Sequence, residues 1–483
     1  ASKVNLNGEV FVVYGKSSGF SSQVRVADLD GTDGFRITAE IERGEEVRFG
    51  RFPSTAGDFN GDGFADIVFG DSQSAVNGNR SGQAYVLFGS PTPLPATFDR
   101  STLDGTNGFA LNGIDADDWA GERTQNVGDL NGDGFDDIGI GADRADTNSG
   151  EAYVVFGAAG GFPASMELSS LDGTNGFRIT PIDAEDQLGI SISTIGDLNG
   201  DGYDDLGVGA QWADPNGVFS GETYVIFGKP SGWTGAFDPA TLDGDNGFRL
   251  NGIDAGDRSG IFVNTAGDVD GDGFSDLIIG ANLADPNGNS ASGETYVIHG
   301  DDFTNAVTHA GDDNDNSLTG DAAANVMIGG RGDDTLTGNG GADVLRGGQG
   351  DDVLGISDLT FQRIDGGRGH DTLSLDGSGM VVDLENIKNA TLTGIETIDL
   401  SGSGDNSLTL SALNVVNISD TSNTLLVHSF PSTMSTSVCM GSSAGLTTST
   451  LPGISLPCLS LRMLDKRLPS STSTLCKIVW RGS

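Results

Sequence analysis

One short motif recurs four times in the first 300 residues, and it constrains the fold more than any other feature of the chain. Its first copy is Gly57-Asp-Phe-Asn-Gly-Asp-Gly-Phe-Ala-Asp-Ile-Val-Phe-Gly70, and later copies occupy 128–141, 196–209 and 267–280. Side chains that carry oxygen stand at alternate positions of each copy, and a glycine follows the third of them. That glycine permits a sharp turn. An apolar, β-prone run follows, so each loop is predicted to join two strands.

The spacing of the oxygens predicts a metal site. Oxygens at positions 1, 3, 5 and 9, with a backbone carbonyl at position 7, surround a hard cation in the first part of an EF-hand loop. No helix and no Glu at position 12 follow here, so the predicted ion, Ca²⁺, lies between two strands. The alternative is a set of Asx-rich turns without metal. Such turns do not need a fourth carboxylate at a fixed offset, which favours the metal site.

The charge of the chain limits its partners. The formal net charge is −44, with 69 acidic residues against 25 basic ones. Nucleic acid and anionic membranes will repel such a chain, and it will repel itself unless cations neutralise it. No stretch is long and apolar enough to span a bilayer, and the first residues form no hydrophobic signal region. Cytoplasmic residence, export by a route that reads another part of the chain, and a trimmed sequence all stay open.

The motif belongs to a long repeat. Its first ligands, Asp58, Asp129, Asp197 and Asp268, are 71, 68 and 71 residues apart. Repeats of this length that contain several strands favour propeller blades. We predict four strands per repeat: one entering the loop, one leaving it, an aromatic and β-branched run such as 84–89, and a short fourth strand such as 109–111.

These residues resemble the FG-GAP repeats of integrin α-subunits and of many bacterial surface proteins, over nearly all of residues 8–300. The resemblance implies a β-propeller with Ca²⁺ in the loop between the first two strands of a blade. The implied ligands, with the aromatic residue of each loop binding through its carbonyl, are Asp58, Asn60, Asp62, Phe64 and Asp66; Asp129, Asn131, Asp133, Phe135 and Asp137; Asp197, Asn199, Asp201, Tyr203 and Asp205; and Asp268, Asp270, Asp272, Phe274 and Asp276.

The number of blades departs from the family. About four to five blades are present, three of them full and two partial, whereas the family's propellers are commonly seven-bladed. We therefore expect that the sequence begins inside a longer propeller. Exposed blade edges would then favour self-association.

After residue 300 the period falls to nine. Copies at 329–337, 338–346 and 347–354 fit the nonapeptide G-G-x-G-x-D-x-U-x, two degenerate copies precede them, and one more follows at 366–374. They resemble the RTX (hemolysin-type) calcium-binding β-roll. In such a roll copies 18 residues apart stack, and the implied Ca²⁺ ligands are Asp334, Asp343, Asp352 and Asp371. The core is thin, so Ca²⁺ between turns should stabilise it.

Four domains are expected. They are the propeller at 1–300, the parallel β-roll at 301–375, an extension or cap of the roll at 376–427, and a Ser/Thr-rich tail at 428–483. Strands are predicted in the extension at 381–384, 395–400, 408–410 and 415–418. The tail is basic and contains all three cysteines. We expect it to be translated out of frame and mostly disordered, with a natural linker as the alternative.

No motif of an enzyme is present. The four histidines have no zinc or triad spacing, and no H-E-x-x-H, G-x-S-x-G or P-loop occurs. His299 replaces a Phe of the third strand and is interpreted as a packing variant. Trp119, Trp212 and Trp233 lie in or beside loops, where they either anchor a partner or cover blade edges.

The expected function is calcium-dependent binding or adhesion outside the cell. The propeller would present loops to a protein or glycan, and the chain would fold on Ca²⁺, with a dissociation constant on the order of 10⁻⁴–10⁻³ M, after export from a bacterial cell, by type I secretion as the RTX resemblance implies. Two alternatives stay open. One is the accessory region of a secreted hydrolase of the phospholipase or protease type, and the other is a structural surface-layer protein.

Overall fold

The computed structural model describes residues 8–16, 19–38, 48–402, 406–419 and 424–428, together with the backbone of four later strands. Nearly every regular element within these ranges is a β-strand, which confirms the all-β prediction. The strands form two kinds of sheet. Those before residue 300 are mainly antiparallel, and those after it are mainly parallel.

Twenty strands form the first part. In chain order they are β1 (Glu9–Val13), β2 (Gly34–Thr38), β3 (Ser54–Gly57), β4 (Asp66–Asp71), β5 (Gln83–Leu87), β6 (Thr97–Asp99), β7 (Gly108–Asn112), β8 (Arg123–Gly128), β9 (Asp137–Ala142), β10 (Glu151–Val155), β11 (Ser165–Glu167), β12 (Gly176–Ile179), β13 (Leu188–Gly196), β14 (Asp205–Ala210), β15 (Glu222–Ile226), β16 (Ala236–Phe237), β17 (Gly247–Asn251), β18 (Ser259–Gly267), β19 (Asp276–Ala281) and β20 (Glu294–Ile298).

These strands form five propeller blades. The second, third and fourth blades each contain four antiparallel strands: β3, β4, β5 and β7; β8, β9, β10 and β12; and β13, β14, β15 and β17. The first blade contains β1 and β2, and the fifth contains β18, β19 and β20. Three full blades between two smaller ones are what the sequence predicts. The innermost strands β3, β8, β13 and β18 lie side by side, which arranges the blades around a common axis.

Each of the three full blades has a neighbour on both faces, and the sequence pattern of their strands reflects this. Successive side chains of a strand point to opposite faces. Thus Val154 packs toward the fourth blade, while Tyr153 and Val155 pack toward the second. In the same way, Val225 packs toward the fifth blade and Tyr224 packs toward the third. Because both faces are buried, these strands contain unbroken apolar runs instead of polar alternation.

A glycine at the end of the second strand allows the blades to approach closely. A Cβ atom on Gly70, Gly141 or Gly209 would lie 1.8–2.2 Å from a backbone oxygen of the next blade. No side chain fits at that distance. The conserved placement of glycine in the first three copies of the motif is therefore a packing requirement between blades.

Short parallel strands at the blade edges were not predicted. β6, β11 and β16 pair in parallel with the outermost strands β2, β7 and β12, and each comes from the following repeat. They cover the outer edge of their blade. Within the described residues no strand pairs with the outer edge of β20, and association through that edge stays a prediction.

The second part is a parallel roll. Its strands are β21 (His309–Ala310), β22 (Ser317–Thr319), β23 (Val326–Arg331), β24 (Thr335–Thr337), β25 (Val344–Gln349), β26 (Val353–Ile356), β27 (Arg363–Arg368), β28 (Thr372–Leu375), β29 (Val381–Asp383), β30 (Leu392–Thr393), β31 (Thr397–Asp399), β32 (Ser407–Leu410) and β33 (Thr424–His428). Successive nonapeptides alternate between two sheets. Residues 18 apart are in register, for example Leu318, Leu336 and Leu354. This confirms the parallel β-roll.

The roll and the residues after it share one aliphatic core. Eight of its buried side chains come from 327–375 and thirteen from 380–427. Strands β30, β31 and β33 continue the two sheets of the roll. The later residues thus supply most of the apolar surface that the roll itself lacks.

The strand predicted at 415–418 is wrong. The segment Ala412–Ile418 is a helix. Ser411 begins it with a capping box, because its hydroxyl accepts the N–H of Asn414 (3.3 Å) and the Asn414 side chain accepts the N–H of Ser411 (2.7 Å). Val415 and Ile418, three residues apart, are both buried. A β-branched run therefore forms a helix here because its cap and its buried face both favour one.

Four strands are described in the last segment. They are β34 (Met434–Ser437), β35 (Ala444–Ser449), β36 (Cys458–Met463) and β37 (Cys476–Trp480), and β36 and β37 pair with β33 and β32. The rest of 429–483 lies outside the described residues. The interpretation of this tail as out of frame and disordered, like the division into four domains, stays a prediction.

Candidate calcium sites and the interface that covers them

Propeller loops 1 to 3 share two hydrogen bonds donated by backbone N–H groups, from the fifth residue to the third and from the seventh to the fifth, and loop 1 (58–66) illustrates them. The N–H of Asp62 donates to Asn60 Oδ1 and the N–H of Phe64 donates to Asp62 Oδ1, both at 2.9 Å. The N–H of Asn60 donates to Asp66 Oδ2 at 3.2 Å, which closes the loop. The predicted ligand side chains thus converge on one small volume. The carbonyl role of Phe64 and its equivalents stays a prediction.

Loops 2 (129–137) and 3 (197–205) repeat this pattern. In loop 2 the N–H groups of Asp133 and Gly134 donate to the two oxygens of Asp129, at 3.0 and 2.7 Å. In loop 3 those of Asp201 and Gly202 donate to Asp197, at 3.0 and 2.6 Å. In both loops the ninth residue, Asp137 or Asp205, is fully buried.

The carboxylates of these loops lack a compensating positive charge of their own. Burial and the neighbouring acids raise the pKa of Asp66 to about 8 and those of Asp129 and Asp201 to about 7. Buried Asp58 Oδ1 has no hydrogen-bond partner within the described residues. A divalent cation would stabilise these ionised groups. The donor set, all oxygen and mostly carboxylate, suits Ca²⁺.

Loop 4 (268–276) is the most acidic. Oxygen atoms of Asp268, Asp270 and Asp272 lie within 4.8 Å of one another. Asp270 Oδ1 is buried without a hydrogen-bond partner among the described residues. An Asn stands in place of Asp270 in the other three loops. This loop therefore has one more negative charge to offer a cation.

His299 is not only a packing variant. Its Nδ1 lies 3.1 Å from Asp270 Oδ2 and 3.3 Å from Asp276 Oδ1, so it reaches the carboxylates of loop 4. The third strand of each blade ends beside the loop of the same blade, which brings the residue at this position to the site. The sequence signal was the single departure from Phe in the repeated Tyr-Val-x-Phe-Gly.

Adjacent loops are connected directly. The N–H of Asp58 donates to Asp136 Oδ2 (2.8 Å), and the N–H of Asp129 donates to Asp204 Oδ2 (2.9 Å). Each acceptor belongs to the following loop, at the variable position before its last ligand. Sequence reasoning missed both residues, because the equivalent positions in loops 1 and 4 hold Ala65 and Ser275.

The predicted ligands of the roll form a ladder. The N–H of Asp334 donates to Asp352 Oδ1 (2.7 Å), and the N–H of Asp352 donates to Asp371 Oδ1 (2.8 Å). Glu396 continues the ladder, since its Oε2 accepts the N–H of Asp371 (3.0 Å). On the other side the N–H of Asn325 donates to Asp343 Oδ1 (2.9 Å).

Three of the aspartates in this ladder use only one of their two carboxylate oxygens to accept a backbone N–H. Oδ2 of Asp334, Asp352 and Asp371 is buried and has no hydrogen-bond partner in the described part of the chain. Burial and neighbouring acids raise the pKa of Asp352 and that of Asp371 to about 7. The unused oxygens are what a Ca²⁺ ion between turns would bind, so these residues fit the predicted ion.

The roll packs against the cation loops of the propeller, which the sequence did not indicate. Arg346 Nη2 donates to Asp197 Oδ2 at 2.6 Å, and both side chains are buried. Arg363 Nη1 lies 2.9 Å from Asp204 Oδ1. Burial alone would raise the pKa of Asp204, but Arg363, the N–H of Asp129 and Arg346 together outweigh it and hold the pKa below its ordinary value.

The same interface reaches loops 1 and 2. Asn389 Nδ2 donates to Asp58 Oδ2 (2.6 Å), and Asn417 Nδ2 donates to the carbonyl of Gly63 (3.0 Å). The ammonium of Lys388 lies 3.9 Å from the ring centre of Phe135. Positive and amide groups of the roll and its extension thus meet the acidic loops. In loop 3 both oxygens of the first ligand are already hydrogen-bonded, whereas loop 1 retains Asp58 Oδ1.

Two family models match the chain. The FG-GAP repeat matches residues 49–87, 188–226 and 263–298. The RTX calcium-binding nonapeptide repeat matches 319–354 with four copies. The loop at 129–137 lies outside the matched segments but has the same geometry as the loops at 58–66 and 197–205.

Curated relatives match over the propeller. Integrin alpha-PS2 of Drosophila melanogaster is 30% identical over 183 residues, which is 36% of this chain and 11% of that protein. Integrin alpha-6 of Gallus gallus is 32% identical over 176 residues, 36% of this chain and 14% of that protein. The chain therefore spans a small part of the length of these relatives.

The RTX repeat match and the FG-GAP repeat match, in the part of the chain that is similar to integrin alpha-subunits, together indicate a chain that binds Ca²⁺. Throughout the described residues, every helix is too short or too polar to cross a bilayer. Ca²⁺ binds at multiple sites. The chain is a calcium-binding protein that combines integrin-like FG-GAP repeats with RTX nonapeptide repeats.

Proposed function

We propose that this chain is a non-enzymatic, calcium-dependent binding protein that acts outside the cell, with the propeller as the binding part and the roll as its base. The observation that carries the proposal is the interface between them. Buried Arg346 and Asp197 join the roll to a cation loop, so Ca²⁺ that stabilises the roll would also hold Arg346 against the propeller and fix the two parts relative to each other.

The opposite end of the propeller is available for a partner. The loops that leave the second strands and those that enter the first strands lie there, away from the roll. Several carry exposed apolar side chains, including Val218, which is 62% exposed, and Ile253, which is 57% exposed. Exposed apolar residues on loops at one end of a rigid scaffold are typical of an interaction surface.

Ca²⁺ would also time the folding. Where Ca²⁺ is scarce, the carboxylates of the loops and the ladder repel one another, and the chain stays loose enough for export, for which we propose type I secretion. At extracellular Ca²⁺ the ligands are neutralised, the roll folds and the propeller is stabilised further. The partner in this proposal is an extracellular protein or glycan.

The test is a binding screen of the whole chain on immobilised matrix proteins and glycans, with Ca²⁺ and with a chelator. We expect binding only with Ca²⁺, and we expect Val218→Ser to weaken it. Val381→Ser is the matched control, since Val381 is 60% exposed on the extension of the roll. Binding that persists in chelator, or that falls equally in both variants, would contradict the proposal.

A further inference from the structure

A cavity of about 360 Å³ lies where the inner strands of the propeller begin, at the end away from the cation loops. Its lining comes from repeats 1 to 4 and includes five arginines, Arg48, Arg51, Arg123, Arg144 and Arg258. Ligand pockets in proteins occupy roughly 300–1,000 Å³. The size therefore suits one small ligand or one residue of a polymer.

The lining is strongly cationic in a chain whose net charge is −44. Its two acids are Glu122 and Asp143. Glu122 pairs with Arg48 and Arg51, and Asp143 Oδ2 lies 3.4 Å from Arg144 Nε. Five guanidinium groups thus face two carboxylates. Within the described residues Arg258 makes no ion pair.

Aromatic rings hold the arginines in place without neutralising them. The Arg48 guanidinium lies 4.6 Å from the ring centre of Trp119, and that of Arg123 lies 3.6 Å from the ring centre of Phe52. Burial and the proximity of Arg51 lower the pKa of Arg123 to about 10. A site that keeps several cations ordered and close together favours an anion between them.

Hydrogen-bonding groups of the lining are also unused. Trp212 Nε1 is a buried donor, and Gln211 Oε1 and Asp143 Oδ1 are buried acceptors; none of the three has a hydrogen-bond partner among the residues described. Buried polar atoms are normally paired. The acceptors call for a ligand with hydroxyl or N–H donors, in addition to the anionic group that the arginines favour.

The backbone around the cavity is strained at equivalent positions. Trp119, Gln187 and Arg258 each stand ten residues before the first ligand of a loop, and their φ angles are +60°, +56° and +56°. The left-handed region costs a non-glycine residue on the order of 1–3 kcal/mol, and such strain concentrates at functional sites. Three repeats have this strained backbone conformation at a residue that lines the cavity.

We propose that the cavity binds a sugar acid, a hydroxylated ring that carries one carboxylate, as a residue of an acidic glycan. The carboxylate of the sugar would lie among the guanidinium groups. The hydroxyls of the sugar would donate to Asp143 and Gln211, and its ring oxygen or another hydroxyl oxygen would accept from Trp212. This assignment rests on the proposed binding function and names the class of its ligand.

The test is calorimetric titration of the whole Ca²⁺-loaded chain with glucuronate, glucose, sulfate and triaspartate. We expect glucuronate to bind, to bind less well at high salt, and to bind better than the other three. Arg258→Gln should weaken it roughly tenfold or more, the usual effect of losing a charged hydrogen bond. The matched control is Arg249→Gln on β17, whose side chain is 46% exposed away from this lining.

Four other outcomes of the titrations with Ca²⁺ would overturn the assignment. No heat with glucuronate, or equal binding of glucose, would contradict an acid site. Tighter binding of sulfate or triaspartate would assign the cavity to an inorganic oxyanion or an acidic peptide. If Arg258→Gln and Arg249→Gln lowered the affinity for glucuronate equally, glucuronate would bind at a site other than this cavity. Glucuronate binding that persists in chelator would count against the calcium dependence of the proposed function and leave the cavity assignment standing.

Discussion

The propeller and the roll arrange their calcium ligands in opposite ways. In the propeller a whole predicted ligand set lies within nine consecutive residues, such as 58–66. In the roll each rung connects residues 18 or 19 apart, as between Asp334 and Asp352 or between Asp352 and Asp371. A propeller loop can therefore form locally, whereas a roll site exists only when its turns are stacked. Ca²⁺ binding and folding should be one event in the roll and two separable events in the propeller.

The cores differ in the same sense. The clusters between blades are rich in buried aromatic rings, among them Phe59, Phe109 and Tyr153. The core of the roll is aliphatic, and within 317–375 each of its two sheets contributes one row of side chains, such as Leu336 and Leu354 in one of them. Buried aromatic residues contribute more apolar area each. The propeller should therefore depend less on Ca²⁺ than the roll does.

The largest effect is expected at the interface that joins the two. Arg346→Gln leaves buried Asp197 without its cation, and removing one partner of a buried pair costs about 3–5 kcal/mol. We expect a loss of this order in the free energy of unfolding when Ca²⁺ just saturates the roll, partly restored at higher Ca²⁺ as the ion replaces the guanidinium. Arg331→Gln, which breaks an exposed pair with Asp313, should cost at most about 1 kcal/mol. Equal losses in denaturant unfolding would contradict the interface.

A second pair of variants compares the two kinds of site. Asp352→Asn keeps an oxygen for the N–H of Asp334 and removes the charge. The Ca²⁺ concentration at which half of the roll is folded should therefore rise at least about tenfold, which corresponds to about 1.4 kcal/mol of binding free energy. Asp62→Asn makes the same change in loop 1 and should leave that midpoint unchanged. Hydrogen exchange of 326–375 against Ca²⁺ concentration measures it. A similar shift in both variants would show that the sites are not independent.

A smaller effect is expected among the propeller loops. Loop 4 should bind Ca²⁺ most tightly because it has four carboxylates. Loop 3 should bind it least tightly because the Arg346 guanidinium already hydrogen-bonds Asp197. Asp270→Asn should lower the affinity of loop 4 to that of loop 1, by roughly tenfold. His299→Phe, which restores the residue of the other repeats, tests whether the imidazole contributes. Site-resolved titration that ranks loop 4 below loop 3 would contradict this order.

A dependence on pH is also expected. In the Ca²⁺-free protein the pKa of Asp66 is raised to about 8 and that of Asp129 to about 7, above about 3.9 for an unfolded Asp. The folded state then binds more protons than the unfolded state, so stability falls as pH rises from about 4 to 8. With Ca²⁺ the ligands are deprotonated and this fall should disappear. Parallel melting curves against pH, with and without Ca²⁺, would contradict it.

Local patterns were predictable, and contacts across the molecule were not. The loops, the order of strands in a blade and the 18-residue register follow from spacing in the sequence, because each depends on neighbouring residues. The helix at Ala412–Ile418 was missed because four residues, 415–418, were interpreted by β-propensity alone. The cap at Ser411 was the signal that could have identified it.

The contacts of Arg346 with Asp197 and of His299 with Asp270 join distant residues, and no spacing encodes them. From the sequence alone, a basic residue in a nonapeptide is expected to lie on the solvated surface. Only the structure shows that this part of the roll packs against the propeller. For the same reason the arginines of the axial cavity, which are scattered from 48 to 258, did not stand out as a cluster. Each is single in the sequence, and only the packing of the blades around a common axis brings them together.

The central claim is that Ca²⁺ completes the fold of the roll and fixes it to the propeller. Hydrogen exchange of the whole chain, measured with Ca²⁺ and after chelation, tests it most directly. We predict that the backbone amides of 317–375 lose their protection when Ca²⁺ is removed, while the apolar runs of β10 and β15 retain much of theirs. Protection of 317–375 that is the same with and without Ca²⁺ would contradict the account.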